Sequence, residues 1–331
     1  MPTWSGILTE IRDLSLKLRQ EGHKKRSPFD MVRRKYLRAL AQKTQKDTIL
    51  YASKCTQPDP AVFPGAIVIT DEDLQGLMEV VHKLKGPRLD LILHSPGGRL
   101  EAAEAFVTYL RSKFEHIRVI VPQIAMSAAT MISCAADVIM LGKHSFLGPI
   151  DPQIPIDSPL GPRMVPAQAV KDQFERAMSD CKEDPSALAA WTPMLRQYGP
   201  DLLVQCDHVI ELSRELVGDW LGTFMFKNDE RGKQKAAQIA SWLADHSHFK
   251  THGRHIPREQ LEQHGLRIEH LEDDQELQDL VLSVFHASTH SFSGTTAVKI
   301  IENHLGKAFI NLRAVLAEQP AVQKQGPKPL E

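Results

Sequence analysis

From residue 48 onward the chain alternates short apolar runs with longer segments whose apolar residues recur every third or fourth position. Runs at 48–52, 66–70, 89–93, 118–121 and 138–141 are too short for buried helices and predict strands. Leu74, Leu77, Val80, Val81 and Leu84 form a helical stripe, predicting a helix over 71–84 with Asp71 as its cap. Ala-rich segments at 102–110 and 128–136 predict two more helices. Repeated strand-then-helix units with short links imply a largely parallel sheet joined by helical crossovers. The fold class read from this pattern is α/β.

The flanks have a different texture. Ile7, Ile11, Leu14 and Leu18 make one amphipathic stripe, and Val32, Tyr36, Leu37 and Leu40 make a second. Residues 1–47 therefore read as a helical arm that packs on the body or on a neighbouring subunit, with a membrane-surface helix as the alternative. The Pro/Gly-rich stretch 148–166 predicts a long loop, and a helix starts near Pro166. Past Leu202 the pattern is mostly helical to Ala317, including a helix over 297–309 capped by Ser293-Gly294-Thr295-Thr296. The Gln-, Pro- and Lys-rich stretch 318–331 predicts a disordered tail. The expected organisation is an arm at 1–47, a core at 48–202, a mostly helical region at 203–317 and the tail.

Composition narrows the partners. Forty basic against 41 acidic residues give a formal charge of −1, without the basic surplus that marks nucleic-acid or anionic-membrane binding. No apolar run approaches the roughly 20 residues of a membrane span, and no signal-peptide core is visible. Cys55, Cys134, Cys181 and Cys206 show neither metal-ligand pairing nor disulfide density. A cytoplasmic, reducing setting is expected.

Two motifs carry the chemistry. Leu93-His94-Ser95-Pro96-Gly97-Gly98 ends one predicted strand and opens a helix, where bare backbone N–H groups can hold negative charge. Ile124-Ala125-Met126-Ser127-Ala128-Ala129-Thr130 follows the next strand and sets a hydroxyl at the head of another helix. A nucleophile and an oxyanion hole are the two demanding parts of acyl transfer. A third motif, Leu147-Gly148-Pro149-Ile150-Asp151-Pro152-Gln153, follows in order.

Together these three motifs resemble the serine dehydrogenase proteinase family of the Clp protease/crotonase superfamily, beside signal peptide peptidase A type enzymes. The resemblance runs from about residue 48 to at least Lys171, and more weakly through the C-terminal helices. It implies a spiral ββα core, self-association into rings and serine peptidase chemistry. Ser127 matches the nucleophile, and Gly97, Gly98 and Ala128 match the oxyanion-hole positions. Clp proteases carry a histidine where this chain has Asp151-Pro152-Gln153, so the Ser-His-Asp arrangement is not supported. The signal peptide peptidase types use a lysine, and Lys171 stands at a compatible separation from the serine. Its position on the face formed by Ala167, Val170, Phe174 and Met178 predicts burial and a lowered pKa, as a general base requires. A lysine at the edge of that face with its head in water is the alternative.

His144 is a rival base, and His94 reads as structural. Asp151 either orients a base, lines the substrate channel or holds its loop down, and Ser95 caps the next helix or braces its turn. His246, His248, His252, His255 and His264 crowd one stretch, but Gly253 and Pro257 break it and no recognised ligand pattern emerges, so a polar loop is expected. No metal, nucleotide or flavin cofactor is implied, and no dinucleotide-binding turn is visible. The reading is an ATP-independent, homo-oligomeric serine endopeptidase acting on peptides or unfolded protein through a Ser127–Lys171 dyad. A crotonase-like acyl-CoA enzyme and a non-catalytic ring-forming scaffold remain as alternatives.

Overall fold

A computed structural model describes residues 3–23, 25–157 and 161–313. The tail expected at 318–331 lies outside the described residues. Helices α1 (Trp4–Gln20) and α2 (Pro28–Thr44) come first, capped by Thr3 and Ser27, with Pro28 in the first turn of α2. The alternating region supplies β1 (Asp47–Ser53), α3 (Asp73–Val81), β2 (Arg88–His94), α4 (Leu100–Arg111) and β3 (His116–Val121). It continues through β4 (Ile124–Ala125), α5 (Ala128–Cys134), β5 (Val138–Leu141) and β6 (Phe146–Leu147). A hairpin of β7 (Gln153–Ile156) and β8 (Arg163–Pro166) leads into α6 (Ala167–Glu183), α7 (Leu188–Leu195), α8 (Leu202–Trp220) and α9 (Gly232–Leu243). Last come α10 (His246–Phe249), β9 (Ile256–Pro257), α11 (Arg258–Gln263), β10 (Ile268–His270), α12 (Gln275–Gly294), β11 (Ala297–Asn303) and β12 (Ala308–Leu312).

Seven strands form the central sheet in the order β10-β5-β3-β2-β1-β11-β12. The run from β10 to β1 is parallel, and β11 and β12 add an antiparallel edge. Side-chain alternation sorts the two faces. Leu89, Leu91 and Leu93 of β2 face the core that includes α3, α4, α5, α8 and α9 residues, whereas Ile92 faces α2 and α12. The N-terminal arm lies on the body. Ile7, Ile11, Val32 and Ala287 share one cluster, and the buried Arg33 guanidinium bonds Glu302 of β11 and Ser291 of α12.

Four expectations need correction. Residues 66–70 are not a strand of the sheet. Pro64 and Gly65 begin a tight turn, β1 already occupies the edge of β2, and only Ile69 makes a single bridge, to Gly98. The helix expected over 71–84 is shorter, and Asp71 does not cap it but pairs with Arg99. The loop expected at 148–166 contains the β7–β8 hairpin. Beyond Leu202 the helical reading misses four strands, because Ser293 and Gly294 end α12 and residues 297–303 continue as β11. Lys299, Glu302 and Asn303 are buried polar residues within that strand, and they disguise its β pattern in the sequence.

Lys299 is itself structurally informative. Its ammonium lies 2.7 Å from Asp73 Oδ1, both buried, and 2.7 Å from the Val68 carbonyl. Asp73 Oδ2 also accepts from Tyr51 Oη (2.8 Å) and from the Thr70 N–H (2.9 Å). This network fixes the 68–70 segment, which lies directly beside the Gly97–Gly98 turn.

Candidate active site

Strand β2 ends at His94, and the chain enters the Ser95–Gly98 turn before α4. Ser95 bridges to Ala125 of β4: its N–H donates to the Ile124 carbonyl (3.1 Å), and its carbonyl accepts from the Met126 N–H (3.0 Å). These bonds lock the two motifs edge to edge. Ser95 Oγ accepts from the Gly97 N–H at 3.2 Å, so Ser95 braces its own turn. Ile69 completes the cradle, donating to the Gly97 carbonyl at 2.8 Å and accepting from the Arg99 N–H at 3.0 Å.

Both glycines are sterically required here. Gly97 has φ +98°, and a Cβ there would lie 2.6 Å from the Met126 carbonyl oxygen and 2.6 Å from Ser127 Cβ. A Cβ on Gly98 would lie 2.2 Å from the Ile69 carbonyl oxygen. Backbone thus approaches backbone at the Ser127 turn, which only glycine permits.

Ser127 itself has φ 53° and ψ −121°, a sparsely populated conformation for a residue with a side chain. Such strain costs about 1–3 kcal/mol and persists only where the surroundings enforce it. Ser127 is partly exposed, at the mouth of an otherwise fully buried α5. It does not cap that helix by a side-chain bond. Among the described residues its hydroxyl has no hydrogen-bond partner, and the N–H groups of Ala128 and Gly98 have no acceptor. The Gly97 N–H, by contrast, is engaged by Ser95 Oγ. The hydroxyl and the Ala128 N–H belong to the Ser127 turn, and the Gly98 N–H belongs to the turn packed against it through Gly97.

The third motif packs on the same turn. The Gly148 N–H donates to Thr130 Oγ1 (3.0 Å), whose hydroxyl donates to the Ala125 carbonyl (2.7 Å). Gly148 lies so close that a Cβ would meet Met126 Cε at 2.5 Å. Asp151, three residues on, is almost fully buried. One carboxylate oxygen lies 2.8 Å from His246 Nδ1 and the other 2.7 Å from His252 Nδ1. Sequence reasoning saw the crowded histidines but did not join them to Asp151. Among the described residues no group of His, Cys, Asp or Glu is arranged to hold a metal ion.

Lys171 does not have the environment expected of it. It lies on α6, which packs against α8, and its ammonium sits 2.5 Å from Asp207 with the side chain 30% exposed. The Asp207 hydrogen bond raises its pKa, opposite to the lowering that a neutral amine needs. His144 is exposed on the turn between β5 and β6, its ring folded over Gly142. His94 points to the opposite face of the sheet, its ring 4.9 Å from that of Phe285 on α12. Burial pushes its pKa down to about 4, so it is neutral at pH 7. Burial also pushes the neighbouring Cys55 thiol up to about 11, so that contact is no activated thiolate.

Comparison with known proteins supplies the family. The family described as ClpP-like SDH-type serine proteinase matches residues 19–183, about half of the chain. The chain belongs to that family. The matched stretch includes both glycines, Ser127, Asp151 and Lys171, and ends before His246 and His252. Two uncharacterized proteins of Methanocaldococcus jannaschii are similar. One is 30% identical over 163 residues, covering 49% of this chain and 54% of the relative. The other is 37% identical over 87 residues, covering 26% and 30%. The chain thus spans about half or less of the curated relatives it matches. No helix among the described residues is long and apolar enough to cross a membrane.

Proposed function

We propose that this ClpP-like family member is a serine endopeptidase with Ser127 as nucleophile. The observation that carries the reading is the strained Ser127 turn against the Gly97–Gly98 backbone, with unengaged Ala128 and Gly98 N–H groups beside the hydroxyl. In the reaction, Ser127 Oγ attacks the peptide carbonyl and the carbonyl electron pair moves onto oxygen. The Ala128 and Gly98 N–H groups hold that oxyanion. Gly97 serves by its shape, letting the two turns touch, because its own N–H is committed to Ser95. The C–N bond breaks as the amine is protonated, and water then hydrolyses the acyl-enzyme.

A base must accept the Ser127 proton. Lys171, the base expected from the resemblance, would first have to release Asp207 and lose its proton. Self-association belongs to the same reading. Helix α7 has no buried residue, and Leu188 and Met194 on it stand exposed, as does Met178 of α6. Analytical ultracentrifugation of the full chain reads the assembly directly.

The test of function is hydrolysis of an unfolded protein such as casein, followed by mass spectrometry of the products. Wild type is expected to release peptides and Ser127→Ala none, at equal folded content. Peptide release that survives Ser127→Ala would refute the assignment. Hydrolysis of acyl-CoA thioesters that is indifferent to Ser127→Ala would instead favour a crotonase-like reaction.

A further inference from the structure

The pair of imidazoles on Asp151 has no role in the scheme so far. Asp151 is buried, and a buried carboxylate needs partners that satisfy its oxygens. Here each oxygen receives one histidine Nδ1, and Gln153 Nε2 adds a longer bond at 3.3 Å. Three separate parts of the chain converge to build this: the 148–153 loop, α10, and the turn after it. The Ile150 N–H donates to the Leu243 carbonyl at 2.9 Å, Ser213 Oγ donates to the Ile150 carbonyl at 2.9 Å, and buried Phe249 anchors α10.

A carboxylate that accepts from Nδ1–H fixes the imidazole tautomer. The lone pair is then on Nε2, the arrangement a general base requires. Neither Nε2 has a hydrogen-bond partner among the described residues. The loop that carries Asp151 is tied to the Ser127 turn: the Gly148 N–H donates to Thr130 Oγ1 in the first turn of α5, and Asp151 follows three residues later.

The two histidines differ in freedom. His246 is the first residue of α10, between its Asp245 cap and buried Phe249, and is 14% exposed. His252 lies on the turn after Lys250, a left-handed residue at φ 67°, and is 27% exposed. The group that exchanges a proton with substrate must be reachable.

We infer that Asp151 orients His252 as the general base for Ser127, with His246 as a positioning residue that fixes the carboxylate from its other side. The inference rests on Ser127 being the nucleophile. His252 Nε2 takes the Ser127 Oγ proton as the Oγ–C bond forms. The resulting imidazolium gives that proton to the leaving nitrogen as the C–N bond breaks. In deacylation Nε2 takes a proton from water as its oxygen attacks, and then returns it to Ser127 Oγ. Asp151 stays ionised throughout and stabilises the imidazolium. This is the converse of the usual register, because the position expected to carry a base carries the carboxylate instead.

The test is the rate of fluorophosphonate labelling of the full chain, with the adduct located by mass spectrometry. Wild type is expected to label on Ser127, and Ser127→Ala not at all. His252→Ala and Asp151→Asn are expected to slow labelling by ~100-fold or more. Added imidazole is expected to restore much of the rate in His252→Ala but not in Asp151→Asn, which a purely structural role would not predict. His246→Gln is expected to slow it by about tenfold or less. If His252→Ala does not fold, His252→Gln provides the same comparison. Labelling at the wild-type rate in a folded His252 variant overturns the relay while leaving Ser127 as nucleophile. Labelling that survives His252→Ala but vanishes in Lys171→Met overturns it in favour of the lysine. A folded wild type that never labels overturns both this inference and the nucleophile reading beneath it.

Discussion

The Ser127 turn and the α6–α8 flank are built by opposite means. At the turn, two strand-end motifs hold each other by backbone hydrogen bonds, and Gly98 packs directly on the Ile69 main chain. On the flank, Lys171 and Asp207 meet through flexible side chains at a half-exposed helix pair. The first arrangement is over-determined and can hold a strained serine. The second is an adjustable surface ion pair of the kind worth only about 0–1 kcal/mol. Preorganised chemistry belongs in the first setting, and this difference argues that the flank serves substrate or assembly more than proton transfer.

The comparison can be broken in order of expected effect. Ser127→Ala should abolish hydrolysis, a loss of about 10⁴-fold or more, with the melting temperature changed little. Ser127→Gly should be equally inactive yet more stable than Ser127→Ala by about 1 kcal/mol, because glycine relieves the positive φ. Calorimetry of the two variants measures that strain.

Gly97→Ala and Gly98→Ala should each lower the hydrolytic rate by ~100-fold or more, since an added Cβ forces the oxyanion donors apart. The buried pair under the turn comes next. Lys299→Met should cost about 3–5 kcal/mol by leaving Asp73 without its cation, and the double variant with Asp73→Leu should recover part of it. Urea titrations read both. A slope change instead of a midpoint shift would contradict a purely native-state effect.

Acid should act on the other face of the sheet. Burial holds His94 and His286 neutral, each with its pKa lowered to about 4. The unfolded chain then binds more protons between about pH 6.5 and pH 4, so stability falls as pH falls through that window. For the nearly fully buried His94 the loss is roughly 3 kcal/mol, and less for the more open His286. His94→Leu should flatten the dependence of the urea midpoint on pH between 7 and 4.5. The smallest effect is expected on the flank, where Asp207→Ala should change stability by less than about 1 kcal/mol.

Much of the turn was legible because its chemistry is local. Ser-Pro-Gly-Gly and Met-Ser-Ala each bring their conformational requirements within a few adjacent residues, and α/β alternation announces the sheet that aligns them. The edge strand β11 was not legible. Lys299, Glu302 and Asn303 are polar in sequence and become acceptable inside only through Asp73, Arg33 and the Val80 carbonyl, distant partners that no window contains. The same distance hid the histidines. Asp151 looked like a turn residue, and His246 and His252 looked like a polar loop, because 95 and 101 positions separate them from their carboxylate. Lys171 was misjudged for a related reason. Its apolar face is real, with Ala167 and Val170 buried, but Asp207 of α8 reaches over to hold the ammonium at the rim.

The most direct measurement is a crystal structure of the protein after reaction with a fluorophosphonate. The account predicts phosphorus on Ser127 Oγ and the phosphoryl oxygen about 2.7–3.1 Å from the Ala128 and Gly98 nitrogens. An adduct on another residue, or a phosphoryl oxygen turned to solvent away from both N–H groups, would contradict it.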